Sequence, residues 1–577
     1  MKRTLLFVFS ILLVALTACN KQTDSSANIP NLQKSDVSII KSDGKSEVNK
    51  PVSKQSSGNY GQNPVKTDSA QSSDSQIPSQ TELSFSEKTD AFLDGATVND
   101  SAFISYYKSL GEYDSGAPVV KNAIFAAPDA SSDGDGTLSS PYTLQDALDK
   151  VKAGQTLYLR GGTFNTDSAD GYFLGCKGTK DAYITVRNYP NESVKITNPF
   201  SSATEAYAFQ FDQGACYFVM EGLEIDGVNA FSAHAIAVWG NGQNHFILRN
   251  LKIHNVKTTA ENPAAETDSS ANAILLCGEN RNAVSNVIIA ENRCYDNVTG
   301  WAESISVAGN CEYVYVFENT VHDMTNIGID FYGNAGYCPS PELDQPRYSV
   351  ASANEIYNGS CSYADCAGLY VDGARDVILQ YNLVYNCQYG IEIGSEEAND
   401  DYPVRNVLVR NNVLKNNSVC GIRVGGYEKQ TTGIVRSAKF VNNTLIENGG
   451  SDGGEIIIAK SDGLAFINNL VYASGKAPIV KTDFEKTYSA NLSFTNNLFV
   501  AHSGTMKFGM FLNEQNGLTE FDHIVNGSSL TANVTMNGFT PTGNVSVANV
   551  TDQMGNYDFN LSPRIKGGKA EVGAIEI

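Results

Sequence analysis

Four short segments of this chain share a spacing that gathers ionisable side chains: NIGIDFYG, AGLYVDG, YGIEIGSE and CGIRVGG. Aligned on Gly328, Gly368, Gly390 and Gly421, each reads glycine, apolar, x, apolar. Side chains along a strand point alternately to opposite faces, so Ile329/Phe331, Leu369/Val371, Ile391/Ile393 and Ile422/Val424 turn one way. Asp330, Tyr370, Glu392 and Arg423 then turn the other way, followed two places on by Tyr332, Asp372, Gly394 and Gly425. If the four strands lie side by side, one exposed strip carries three carboxylates, a guanidinium and two tyrosines. Glu396 lies at its edge.

Strand spacing converts that strip into distances. Glu392 and Arg423 share a column with backbones about 5 Å apart. The Asp372 and Glu392 carboxyl groups would lie about 5–9 Å apart, a range that spans retaining and inverting glycosidases. Asp330 flanks Asp372 from the other side. Clustered Asp330, Asp372 and Glu392 oxygens would suit Ca²⁺, a hard cation that takes oxygen ligands. Tyr332 and Tyr370 could stack on sugar rings, and Gly373, Gly394, Gly425 and Gly426 leave room beside them. Lys460, one or two coils further, could line the same cleft. The competing reading is a solvated charged face.

The elements that must hold this strip announce themselves as a repeat. Between 247 and 500 the chain reads ILRNLKIHN, VIIAENRCYDN, VYVFENTVHD, SVASANEIYN, VILQYNLVYN, VLVRNNVLKN, FVNNTLIEN, LAFINNLVY and LSFTNNLFV. The anchoring residues are Asn250, Asn292, Asn319, Asn354, Asn382, Asn412, Asn443, Asn469 and Asn497. They recur roughly every 26–42 residues, inside the window where internal repeats mean a solenoid. Each repeat supplies one strand around its asparagine and another on the G-φ-x-φ segment. Asparagine at one place in successive coils can build a hydrogen-bonded ladder at the strand spacing of about 4.8 Å. These residues are therefore structural, and the fold class expected is all-β: a parallel β-helix with an N-terminal amphipathic capping helix.

That helix is legible in AIFAAPDASSDGDGTLSSPYTLQDALDKVKAGQTLYLRGGTF. A strand over Ala123–Ala127 leads through a polar loop to Leu144, Ala147, Leu148 and Val151 at helical spacing, ended by Gly154. A solenoid needs such a cover at its open end.

The N-terminal region reads differently. Lys2 and Arg3 precede an apolar run from Leu5 to Leu16, too short to span a membrane and typical of a secretory signal. Residues 20–85 are polar and poor in aromatics, the composition of a disordered tether. Residues 86–120 carry AFLDG and SAFISYYKSLGEY, whose helical packing on the main domain is left open. The division expected is 1–19 signal, 20–120 tether and pre-domain segment, 121–577 solenoid. With a net charge of −22 the chain has no basic face for nucleic acid. Setting Cys19 aside leaves ten cysteines, and Cys361 and Cys366 are close enough to clip one loop.

Three resemblances add to this. The LTAC ending at Cys19 resembles the lipobox of bacterial lipoproteins, which implies cleavage before Cys19, lipidation of its thiol and an extracytoplasmic, membrane-anchored protein. The 122–164 segment and the closing PRIKGGKAEVGAIEI resemble secreted right-handed parallel β-helix proteins, among them the pectate lyases of polysaccharide lyase family 9. That likeness implies a right-handed β-helix, an acidic calcium cluster and a base on a G-φ-Lys-φ-G-G segment, at which place this chain has Arg423 in CGIRVGG. Arginine is a poor base on pKa grounds. The Asp372…Glu392 arrangement resembles the β-helix xylosidases of glycoside hydrolase family 120, which implies Asp372 as nucleophile and Glu392 as acid/base. The expectation is a monomeric, cell-surface, polysaccharide-degrading enzyme. Calcium-assisted β-elimination of a uronate-containing polysaccharide comes first, glycoside hydrolysis second, and a non-catalytic glycan-binding solenoid third.

Overall fold

The computed structural model describes residues 83–577 except 427–430, 451–452, 476–478, 483–488, 502–508, 511–528, 532–533, 544, 546–547 and 549. The signal segment, Cys19 and nearly all of the tether lie outside the described residues. Among the described residues three parallel sheets of 15, 12 and 14 strands run the length of the molecule. Successive coils each lay one strand on the first sheet, one on the third and one on the second, so strands pair with the coil before and the coil after. Among the described residues the only antiparallel sheet is a hairpin of Val534–Asn537 with Thr540–Gly543.

Alternation explains why the coils close. Inward residues such as Ile329, Leu369, Ile391 and Ile422 are fully buried and join one continuous apolar core from Ala126 to Phe499. Like residues stack on like: the rings of Phe440, Phe466 and Phe494 sit 4.4 and 4.5 Å apart, nearly parallel.

The asparagine ladder runs from Asn292 to Asn497. The Asn292 backbone N–H and Nδ2 both donate to Asn319 Oδ1 at 3.0 Å. The pattern repeats through Asn354, Asn382, Asn412, Asn443, Asn469 and Asn497. Each Nδ2 also donates to a carbonyl of the preceding coil, as Asn382 does to Ala351. The residue before each ladder asparagine has positive φ, from 53° to 58°. That corner favours asparagine, which explains the NN doublets at 411–412, 442–443, 468–469 and 496–497. It also corrects one assignment. Asn250 is the corner residue, with φ 53°, and Leu251 holds the ladder place, its N–H donating to Asn292 Oδ1.

The open end is capped as expected by α3 (Leu144–Lys150), where Thr143 Oγ1 accepts from the Asp146 N–H and Leu144, Ala147 and Leu148 are buried. The segment left open between 86 and 120 forms two helices, α1 (Phe85–Phe92) and α2 (Ser101–Leu110). Phe92, Phe103, Ile104 and Tyr107 pack on the outside of the first sheet against Val219, Ile247, Ile288 and Phe317. The C-terminal Val572, Ala574 and Ile575 fold back on the outside of the third sheet.

Candidate active site

The strand register places the chemistry-bearing column where alternation puts it. Ser306 pairs with Asp330, Asp330 with Tyr370, Tyr370 with Glu392, Glu392 with Arg423 and Arg423 with Ile457. Asp372 pairs with Gly394 in the adjoining column. These side chains leave the core on the outer face of the second sheet.

They are not an exposed strip. Asp330, Asp372, Glu392 and Arg423 are 1%, 2%, 4% and 5% exposed. Connections between sheets rise on both sides and enclose a cavity of about 600 Å³. Its walls carry Glu303, Asp330, Asp372 and Glu396, with Asp365 and Tyr363 from the 361–366 connection and Trp301 and Tyr332 beside them. Of the residues read from sequence, Asp330, Asp372, Glu396 and Tyr332 line this cavity. Tyr370, Glu392 and Arg423 lie in the same column without lining it. Lys460 is elsewhere: its ammonium donates to the Thr432 carbonyl and pairs with Asp400 at 3.4 Å.

Glu303, Asp365, Trp301 and Tyr363 were not anticipated. Glu303 precedes the strand Ile305–Gly309, which lacks the leading glycine of the other four, and the remaining three sit on connections that alternation does not reach. The glycines also serve another purpose than making room. A Cβ on Gly373 would lie 2.4 Å from the Gly333 carbonyl oxygen, and one on Gly425 2.3 Å from that of Ala459, both at positive φ.

Burial and like charge set the electrostatics. Burial first, then Glu303, Asp372 and Glu396, push the Asp330 carboxyl well above its usual range. Asp372 is driven the same way by burial and Glu396, against the Glu396 N–H, which donates to Asp372 Oδ1 at 2.8 Å. Burial raises Glu303 to about 7. Glu396 stands exposed at the cavity mouth, and it too is raised, by desolvation and by Glu397 and Asp365. Glu392 is raised to about 7 by burial, opposed by Arg423. The Arg423 guanidinium lies 3.3 Å from Glu392 and 3.0 Å from Asp365, over the Tyr389 ring.

Calcium was expected at Asp330, Asp372 and Glu392. Among the described residues the one group of three whose donor atoms all come within 4.8 Å of one another is Glu224, Asp226 and His254, on the third sheet. There Lys195 already pairs with both carboxylates, at 3.2 and 2.6 Å. The three residues expected to hold calcium do not converge closely enough to fit it as placed. Near the cavity, Cys361 and Cys366 are both thiols with sulfurs 3.2 Å apart. Hydrogen bonding from Cys366 lowers Cys361 to about 6.

The family model described as "Pel9A-like, right handed beta helix region" matches residues 124–423. The chain belongs to the Pel9A-like family of right-handed β-helices. A second right-handed β-helix model matches 368–552. The uncharacterized protein YwoF of Bacillus subtilis (strain 168) is 27% identical over 352 residues, 58% of this chain and 71% of YwoF. Pectate lyase PEL9 of Emericella nidulans is 40% identical over 74 residues, 13% of this chain and 18% of that enzyme. Among solved structures, the A-module of mannuronan C-5 epimerase AlgE4 from Azotobacter vinelandii aligns at TM-score 0.47 and 12% identity, over 70% of this chain and 98% of that one. Pectate lyase Pel9A aligns at 0.35 and 12%, over 80% and 98%. These two are likenesses of fold.

Proposed function

We propose that this protein is a glycan-cleaving enzyme that works through the carboxylates of the cavity, with Asp372 and Glu396 as the reacting pair. The observation that carries this reading is their juxtaposition on one cavity, joined by the bond from the Glu396 N–H to Asp372 Oδ1. A carboxyl group raised by burial holds a proton near neutral pH and can pass it to a leaving sugar oxygen. Asp372, buried and raised well above its usual range, takes that part. Glu396, exposed at the mouth and joined to Asp372 through its own N–H, is the partner that attacks the anomeric carbon or activates water. Glu303 and Asp330 flank the pair on the cavity wall, where the ionised form of either would offset positive charge developing on the sugar ring. Tethered through a lipidated Cys19, the enzyme would act as a monomer on polysaccharide at the cell surface.

β-Elimination is the second reading, and family membership favours it. It requires a base, and Arg423 is poorly suited: two carboxylates beside it hold the guanidinium charged, so it has no lone pair to take a proton. It also requires a cation to offset a uronate carboxylate among so many others.

One assay separates the readings. The protein is incubated with neutral, amino and uronic polysaccharides, with and without EDTA, following reducing ends and the ultraviolet absorbance of unsaturated uronate. Hydrolysis predicts reducing ends without absorbance, indifferent to chelator. Asp372→Asn and Glu396→Gln should lower turnover by about 10²–10⁴-fold. A chelator-sensitive rise in both signals would establish elimination instead. Silence on the whole panel would leave a glycan-binding solenoid.

A further inference from the structure

We propose that the cavity receives an amino sugar, a glycan unit with a free protonated amine held among Glu303, Asp330, Asp372 and Glu396. The inference rests on the carboxylate-pair reading and names its substrate class.

Charge is the first argument. Every Asp, Glu, His, Lys or Arg side chain that lines the cavity is a carboxylic acid: Glu303, Asp330, Asp365, Asp372 and Glu396. No lysine or arginine lines the cavity among the described residues: Lys460 pairs with Asp400, and Arg423 reaches Asp365 at the wall, which leaves Glu303, Asp330, Asp372 and Glu396 facing the cavity without a basic side chain lining it. Such a lining repels a uronate and attracts a cation.

The second argument is a buried oxygen. Asp330 is 1% exposed and its Oδ1, shielded from solvent on the cavity wall, has no hydrogen-bond partner among the described residues. A buried carboxyl oxygen left unpaired is costly, and an ammonium group beside it would donate an N–H to it and favour its ionised form.

Size and shape decide which cation. As placed, no three of these carboxylates bring ligand atoms within 4.8 Å of one another. A cavity of about 600 Å³ fits a sugar unit far better than an ion. The walls also carry Trp301 and Tyr363, ring centroids 5.3 Å apart. Trp301 is fixed by donating Nε1–H to the Pro263 carbonyl at 2.6 Å, and Tyr363 by donating its hydroxyl to that of Gly300 at 2.9 Å. Fixed aromatic rings bind both the C–H face of a pyranose and an ammonium group.

The test is calorimetric titration of the full chain with glucosamine, galactosamine, their N-acetylated forms, glucose and galacturonate, as free sugars and as tetramers, and with CaCl₂ alone. Free amines should bind about ten-fold tighter than N-acetylated or neutral sugars, as expected for a charge-assisted hydrogen bond, with galacturonate weakest. Added salt should shrink the preference, and Asp330→Asn should remove most of it. Equal binding of amine and acetylated sugars, tighter binding of galacturonate, no binding of any sugar, or Ca²⁺ binding that amino sugars fail to displace would each overturn the proposal. The wild-type ranking stands as a test even if the variant does not fold. If neutral glycans are hydrolysed without amine preference, this inference falls and the carboxylate-pair reading survives. If amino sugars bind tightly and are not cleaved, the reverse holds.

Discussion

Glu303, Glu392 and Glu455 are carboxyl groups that the fold holds against their own ionisation. Burial raises the first two to about 7 and Glu455 to about 8, from an ordinary value of 4.5. A group whose folded pKa exceeds its unfolded one binds more protons in the folded state, so stability falls as pH rises between the two values. The melting temperature should therefore decline from about pH 5 to pH 8, the window those shifts define. Asp330→Asn, which removes a like charge from the cluster, should flatten that decline. Differential scanning fluorimetry across pH checks both. A melting temperature that climbs over the same window would mean these carboxyls are better paired than the structure shows. The site's chemistry and the protein's stability thus oppose one another at the same residues.

At the scale of elements, the ladder and the 361–366 connection make separate demands. Asn382 accepts from Asn354 N–H and Nδ2 and donates to Ala351 and Asn412. Asn382→Leu would take the acceptor from the buried Asn354 N–H and Nδ2 and a donor from the Ala351 carbonyl and Asn412 Oδ1, at a cost of about 3 kcal/mol in urea unfolding. Asn250→Ala, at the corner place, should cost about 1 kcal/mol. Equal costs would dissolve the distinction between corner and ladder. On the connection, the lowered Cys361 thiolate can attack oxidised glutathione, after which Cys366 displaces reduced glutathione and closes a disulfide. Peptide mass spectrometry after incubation with oxidised glutathione should find the pair linked, two hydrogens lighter. What the sequence disclosed follows the same division. Strand alternation and the asparagine period are backbone properties, so the column Asp330, Tyr370, Glu392, Arg423 was legible. The identity of the cavity was not, because Glu303, Trp301, Tyr363 and Asp365 come from positions that no strand period governs. Burial was missed for the same reason: the period of a strand says which way a side chain points, and nothing about what covers it.

For the whole molecule, coils touch chiefly the coil before and the coil after, and α1, α2 and the C-terminal segment cover the outer faces of the first and third sheets. The second sheet keeps its outer face for the cavity. Along the ladder the separation between successive asparagines is 27, 35, 28, 30, 31, 26 and 28 residues, while the hydrogen bonds between them stay within 2.9–3.0 Å. Pitch is constant and circumference is not. The surplus residues are absorbed in the connections, among them 333–346 and 361–366, whose backbones leave the sheets. Lineages of such proteins can therefore lengthen or exchange a connection, and with it the mouth of the cavity, without disturbing a single rung. Inheritance of the scaffold and inheritance of the substrate are uncoupled, so kinship recorded along the coils fixes ancestry and leaves diet free to drift.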